Sequence, residues 1–259
     1  MLETALSMVS ESGLTVSLDH LSLETVIARA EVSRASAYRR WPFKDLFLAD
    51  LLVAVAQDTE LSAEPPGLVR ELTALIEATD LSDAQSRRDL LVEALRISSE
   101  AEFERLRTSP RWRTYLALSA TITGLPEGRI RDTAAAAVHD AERRFASRRE
   151  GVYRHLAQMI GYRPRRDMDP SVCFELMSHT SGAAMTGFIV KSLVTVPDRS
   201  FEIAPFGAGG SAQWSIPVYG LTAIFDAFLE PDPDASWSGE AIAERRALWD
   251  ATAAELYGL

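Results

Sequence analysis

Apolar residues recur three and four positions apart along most of the chain, the spacing that gathers them on one face of a helix, and alternating strand-like patterns are almost absent. Leu2, Ala5, Leu6 and Val9 mark a first helix, with Gly13 placed to end it. Leu23, Val26, Ile27 and Ala30 mark a second, with Ser22 placed to cap it. Val32 and Ser33 break the pattern, and a short third helix follows from about Arg34 to Trp41 with Ser33 at its N-cap. Pro42 cannot continue that helix as an interior residue, yet it can stand near the first turn of the next. From Lys44 to about Gln57, LFLADLLVAVA predicts a longer, largely buried helix.

Later punctuation falls at Glu64-Pro65-Pro66-Gly67, Ser109-Pro110, Gly124-Leu125-Pro126, Tyr162-Arg163-Pro164 and Val196-Pro197. Between these breaks the clearest helix runs from about Arg131 to Ile160, its seam marked by Val138, Ala141, Phe145, Val152, Leu156 and Met159. Others are expected from Pro170 to Val194, from Ser215 to Leu229 and from Ser238 to Leu256, the last with Ile242, Leu248, Trp249 and Leu256 as apolar contacts. The Gly-rich stretch from Phe201 to Ala212 reads as a loop. The expectation is an all-α chain of nine or ten helices, without an internal repeat.

Composition narrows the setting. With 47% hydrophobic residues the chain of 259 can fill a core, and the lone Cys173 excludes both a disulfide framework and a multi-cysteine zinc site. The start, Met1-Leu2-Glu3, carries no basic stretch ahead of an apolar one, so no secretory signal is expected. The uncharged run from Ile203 to Phe225 is broken by prolines and glycines and makes a poor membrane span. A soluble, cytoplasmic protein without a membrane partner is expected. The formal net charge of −10 argues against nucleic acid only until the position of the charges is considered.

The informative stretch is Leu21 to Asp45, LSLETVIARAEVSRASAYRRWPFKD. Its two helices lie a short turn apart, as in a helix-turn-helix, whose second helix places its N-terminal residues against base edges in the major groove. Those residues are Arg34, Ala35 and Ser36. Tyr38, Arg39 and Arg40 follow on the same helix, and Lys44 opens the next. From Arg29 to Lys44 five basic residues face one acidic one, Glu31, which is the charge and donor supply that phosphate contact requires. Ala37 and Trp41 are spaced to face a small core. A helical hairpin with a solvated Arg-rich face has the same spacing.

At these residues the chain resembles the TetR family of transcriptional repressors. The pattern is an apolar first helix, Val26-Ile27-Ala28 and Ala30, Val32-Ser33, then Tyr38-x-x-Trp41-Pro42-x-Lys44-Asp45. The resemblance covers about 45 residues and implies a helix-turn-helix domain over 1–46 and a helical effector-binding and dimerisation domain over 47–259. It implies a homodimer on a near-palindromic, double-stranded operator, released by a small-molecule effector. Tyr38 and Lys44 would grip phosphates, Arg34, Ala35 and Ser36 would sit nearest the bases beside Ser33, and Arg39 and Arg40 would flank them. Three departures stand out. Glu31 occupies the usual turn glycine, so the turn must avoid positive φ or accept a cost of about 1 kcal/mol. Ala35 replaces another frequent glycine but offers a methyl to a thymine. The chain starts at its first helix, so base readout is expected without a basic N-terminal arm.

The longer C-terminal part offers no catalytic constellation and implies no cofactor. His20, His139, His155 and His179 lie far apart without a second histidine at i+4, so no metal site is expected, and Cys173 reads as a small buried hydrophobe. Helical bundles line ligand cavities with aromatic and Met side chains. Trp112 and Tyr115 qualify, as do Phe145, Tyr153 and Met159 on the long helix and Phe174, Met177 and Met185 on the next. Ser178, Gly182, Ala183 and Gly187 make a stripe of small residues, which marks this helix, with the one from Ser215 to Leu229, as the expected dimer interface. The ten arginines between Arg129 and Arg166 read as a solvated helix face. The alternative function is an all-α small-molecule-binding protein or enzyme that has lost DNA binding.

Overall fold

A computed structural model describes residues 1–12, 22–58, 66–195 and 199–257. Over these the chain is all-α, with eleven helices and only short strands. The first helices are α1 (Leu2–Ser12), α2 (Leu23–Arg29), α3 (Arg34–Arg40), α4 (Lys44–Asp58), α5 (Pro66–Ala78) and α6 (Ala84–Thr108). Then come α7 (Pro110–Gly124), α8 (Arg129–Met159), α9 (Cys173–Val194), α10 (Ile216–Phe228) and α11 (Gly239–Tyr257). The strands are β1 (Tyr162–Pro164), β2 (Ser200–Ile203), β3 (Ala212–Ser215) and β4 (Leu229–Pro231). Gly13, His20, Leu21, Glu64-Pro65 and Val196-Pro197 lie outside the described residues, as does the side chain of Leu256.

The chain divides into two compact units, Met1–Ser62 with Thr108–Phe145 and Ala63–Arg107 with Ala146–Leu259. In the first, Ala5, Val9, Val26, Ile27, Ala37 and Trp41 share one core with Phe47, Leu51 and Leu52 of α4 and Leu118 and Ile122 of α7. The boundary expected at residue 46 therefore falls inside α4. Three short helices have too little apolar surface to close a core alone, and α4 and α7 complete it.

Both expected caps form. Ser22 Oγ accepts the Thr25 N–H at 3.0 Å and Ser33 Oγ accepts the Ser36 N–H at 3.2 Å. Between them the turn takes the costly option, because Glu31 sits at φ +53°. Its neighbours explain why it stays there: the Val32 N–H returns to the Ile27 carbonyl at 3.3 Å, closing the end of α2 over a left-handed residue.

In the second unit α5, α6, α9, α10, α11 and the end of α8 enclose Val69, Leu90, Met159, Met177, Phe225 and Trp249. Antiparallel β1 and β4 pair Tyr162 with Pro231 and Pro164 with Leu229. The expected loop over Phe201–Ala212 is instead part of a hairpin, with Phe201 opposite Trp214 and Ile203 opposite Ala212. The hairpin end is tied to α6: Gln85 Nε2 donates to the Gly207 carbonyl at 2.9 Å and the Gly209 N–H to Asp89 at 2.8 Å. Strands of three or four residues are too short to write a period into the sequence.

The strain at Glu31 has a measurable consequence. Glu31→Gly should stabilise the protein by up to about 1 kcal/mol and raise the thermal midpoint by about 2–4 °C. An unchanged or lower midpoint in a calorimetric scan would show that Glu31 is not strained.

Candidate functional site

Helix α3 has seven residues, so packing rather than intrinsic propensity holds it in place. Ala37 and Trp41 are 1% and 5% exposed. The Trp41 ring meets Phe47 edge-on at 5.2 Å between centroids, and its Nε1–H donates to Asp50 at 2.9 Å. With that side committed, Ser33, Arg34, Ala35, Tyr38, Arg39, Arg40 and Lys44 are exposed and Ser36 is half-buried. Ser33 and Ser36 are occupied in capping, their hydroxyls 3.0 Å apart. The Arg40 guanidinium lies 5.1 Å from the centre of the Trp41 ring.

Among the described residues no carboxylate lies within ion-pairing distance of Arg34, Arg39, Arg40 or Lys44. These cations retain their charge and donors for an external anion. Tyr38 differs, because its hydroxyl donates to Glu24 Oε1 at 2.8 Å. The Glu24 carboxyl is held below the usual range by its own main-chain N–H and then by Tyr38, with Arg34 and Lys44 adding to the effect.

Several arginines between Arg129 and Arg166 are spent differently, while Arg129, Arg131 and Arg144 have no ion-pair partner among the described residues. Arg143 pairs with Asp140 at 2.8 Å and Arg154 with Glu150 at 2.5 Å, while Arg163, beyond the helix, pairs with Glu230 at 3.1 Å. Arg149 points inward, its Nη2 donating to the Ser178 carbonyl at 2.9 Å and its Nε to Ser178 Oγ at 3.3 Å.

The eight expected cavity residues do not converge. Trp112 and Tyr115 stack at 4.9 Å in the first unit, where Tyr115 also donates to Glu142, and Phe145 belongs to that unit too. Tyr153, Met159, Phe174 and Met177 join the second unit's core, and Met185 is buried on α9. Only Phe174 borders the cleft of about 580 Å³ in that unit, with Tyr162, Arg163, Asp232, Arg245 and Leu248 among the other walls. A second cleft of about 340 Å³, between α5 and α11, contains none of the eight. Beside the larger cleft, Trp237 lies between the guanidiniums of Arg87 and Arg245, 4.1 and 4.5 Å from its ring centre. Sequence separations of 150 and 8 gave no local signal for that stack.

The small residues of α9 serve two sides. Ser178 is fully buried, donates to the Ala146 carbonyl at 2.9 Å and receives Arg149. Gly182 also faces Arg149, since a Cβ there would lie 2.5 Å from Nη2. Their smallness is used within the chain, whereas Ala183 and Gly187 are exposed. His139, His155 and His179 are exposed and Cys173 is buried, its thiol pushed up by burial. Among the described residues no cluster could hold a metal ion, and no helix is long and apolar enough to cross a membrane.

Gly182→Ala should cost no more than about 1 kcal/mol, because it shifts only the tip of the flexible Arg149 side chain. Ser178 keeps its bonds to the Ala146 carbonyl and the Ser181 hydroxyl, and alanine favours the helix by a similar amount. The measurement is chemical denaturation, and a loss well above about 2 kcal/mol would show that the Arg149 guanidinium is held in place and cannot yield.

No known family, curated protein or solved structure matches this chain, so the functional reading rests on its own residues.

Proposed function

We propose that the chain is a TetR-like transcriptional repressor, a cytoplasmic homodimer that binds a near-palindromic operator through α2 and α3 and is released by a small-molecule effector. The observation that carries this reading is the exposed cationic surface of Arg34, Arg39, Arg40 and Lys44, without a direct ion pair among the described residues, on and beside a two-turn helix anchored by Ala37 and Trp41. Such a surface supplies phosphate contacts, and residues at the start of α3 are placed for base edges. Two copies would engage half-sites about 34–36 Å apart or a multiple of that spacing.

The homodimer is supported by α9 and α10. Leu176, Ala183, Gly187, Val190 and Val194 recur at helical spacing and are all exposed, with Val194 at 82%. Ile216 and Tyr219 add exposed apolar surface from α10. Patches of this kind on soluble proteins mark interaction surfaces. A chain with net charge −10 repels its own copy, so a self-contact must fall where charge is sparse. Helix α10 carries only Asp226, and that residue is paired with Arg88 at 2.5 Å. The effector reading is supported by the 580 Å³ cleft, a size suited to a small organic ligand.

The decisive experiment is fluorescence anisotropy with the DNA upstream of the protein's own gene against a scrambled duplex, at two salt concentrations. Preferential binding that weakens steeply with salt is expected. Failure on that duplex and on DNA selected from a random pool would sink the DNA-binding reading. Arg34→Ala should cost about 1–3 kcal/mol and relax sequence preference, whereas Lys44→Ala should weaken all sequences alike and flatten the salt dependence. The reverse pattern would exchange their roles. A Cβ at Gly187 meets nothing within 4 Å among the described residues and the position is exposed, so Gly187→Leu should leave the fold intact and dissociate the dimer in sedimentation. An unchanged dimer would move the interface elsewhere.

A further inference from the structure

We propose that Glu24 is a restraint on DNA binding: it holds the Tyr38 hydroxyl in the free protein and surrenders it to a backbone phosphate on the duplex. This inference rests on the DNA-binding reading above. Tyr38 has one hydroxyl proton, and at 2.8 Å from Glu24 Oε1 that proton is already donated. A phosphate oxygen must therefore displace a carboxylate, a stronger competitor than water. Glu24 lies on the second position of α2 and Tyr38 on the fifth of α3, so the contact bridges the two helices of the DNA-binding pair.

The surroundings add a second cost. Glu24 faces Tyr38 and Arg34 from α3 and Lys44 from α4. Neither cation forms a direct ion pair among the described residues, so the carboxylate tempers their field without occupying their donors. A phosphate drawn to Tyr38 arrives beside this negative charge and is repelled by it. Phosphate contacts are common to every sequence, so Glu24 lowers affinity for operator and random DNA alike and leaves base discrimination to Arg34. Glu24 acts through Tyr38 and the cations, as a positioning residue.

The test uses the full-length protein, a random-sequence duplex, and a duplex selected by the wild-type protein from a random pool. By anisotropy at fixed salt, Glu24→Gln should bind both duplexes about three- to ten-fold more tightly. In the Tyr38→Phe background that gain should shrink, because no hydroxyl remains to be released. A separate readout is the tyrosine Cζ carbon resonance that Tyr38→Phe deletes. In the free wild type it should shift on acidification as Glu24 protonates, and in Glu24→Gln the shift should vanish.

If the wild type binds neither duplex, the DNA-binding reading fails and takes this proposal with it. Should it bind while Glu24→Gln binds no more tightly, the proposal alone is overturned. An equal gain with and without the Tyr38 hydroxyl would overturn the competition and leave only a bare charge. A Tyr38 resonance that ignores acid would remove the contact itself.

Discussion

Burial of Trp41 is the constraint on which the exposed cationic side of the first unit depends. An indole placed in a core must lose its water and still find a partner for its N–H, and Asp50 on α4 supplies one at 2.9 Å. The ring then presses its neighbour Phe47, and Ala37 one turn earlier fills the same core. A helix of seven residues has no stable orientation of its own, so these contacts set which side chains reach solvent. Arg34, Tyr38 and Arg39 are exposed because the opposing requirement, apolar burial, is met by residues interleaved with them. The same contacts explain why α4 is part of the first core rather than the start of a second one.

Charge shows why local partners outweigh totals. The chain carries 37 acidic residues against 27 basic ones, yet the cations on and beside α3 have no ion-pair partner among the described residues. The stretch from Arg129 to Arg166 is richer in arginine, but Arg143, Arg154 and Arg163 have carboxylates within 3.1 Å and Arg149 serves the interior. Exposed pairs of that kind contribute little stability, but they cancel field. A count of arginines alone therefore does not say how much charge a region leaves unpaired.

The helices were legible because each carries several turns of the same period, and the caps at Ser22 and Ser33 because capping is written in adjacent residues. The strain at Glu31 was legible as a choice between two costs, and only the chain geometry decides between them. The strands were not legible. β1 begins where Gly161 takes φ +67°, a position where a Cβ would also strike Trp237, 76 residues later in the chain. The cavity was illegible for a related reason. Aromatic and Met residues at helical spacing serve two separate cores equally well, so Trp112 and Tyr115 cannot be assigned to the same place as Phe174 and Met177 from spacing alone.

The stripe on α9 shows the limit most clearly. Small residues three or four apart permit a close approach, but the sequence does not say by what. At Ser178 and Gly182 the visitor is Arg149, whose charge also lies near Glu102, a carboxyl that burial raises and Arg105 grips at 2.7 Å. That network needs room at Gly182 because a guanidinium is broad and planar, and a methyl there would shift its tip. Ala183 and Gly187, one residue around the helix from Gly182 and one turn on, are exposed, and a Cβ at Gly187 meets nothing within 4 Å among the described residues. One pattern of small residues therefore satisfies an internal cation on one side and leaves an apolar surface on the other. Two neighbouring glycines on the same helix consequently have different surroundings: Gly182 gives room to a guanidinium from within the chain, and Gly187 is open among the described residues.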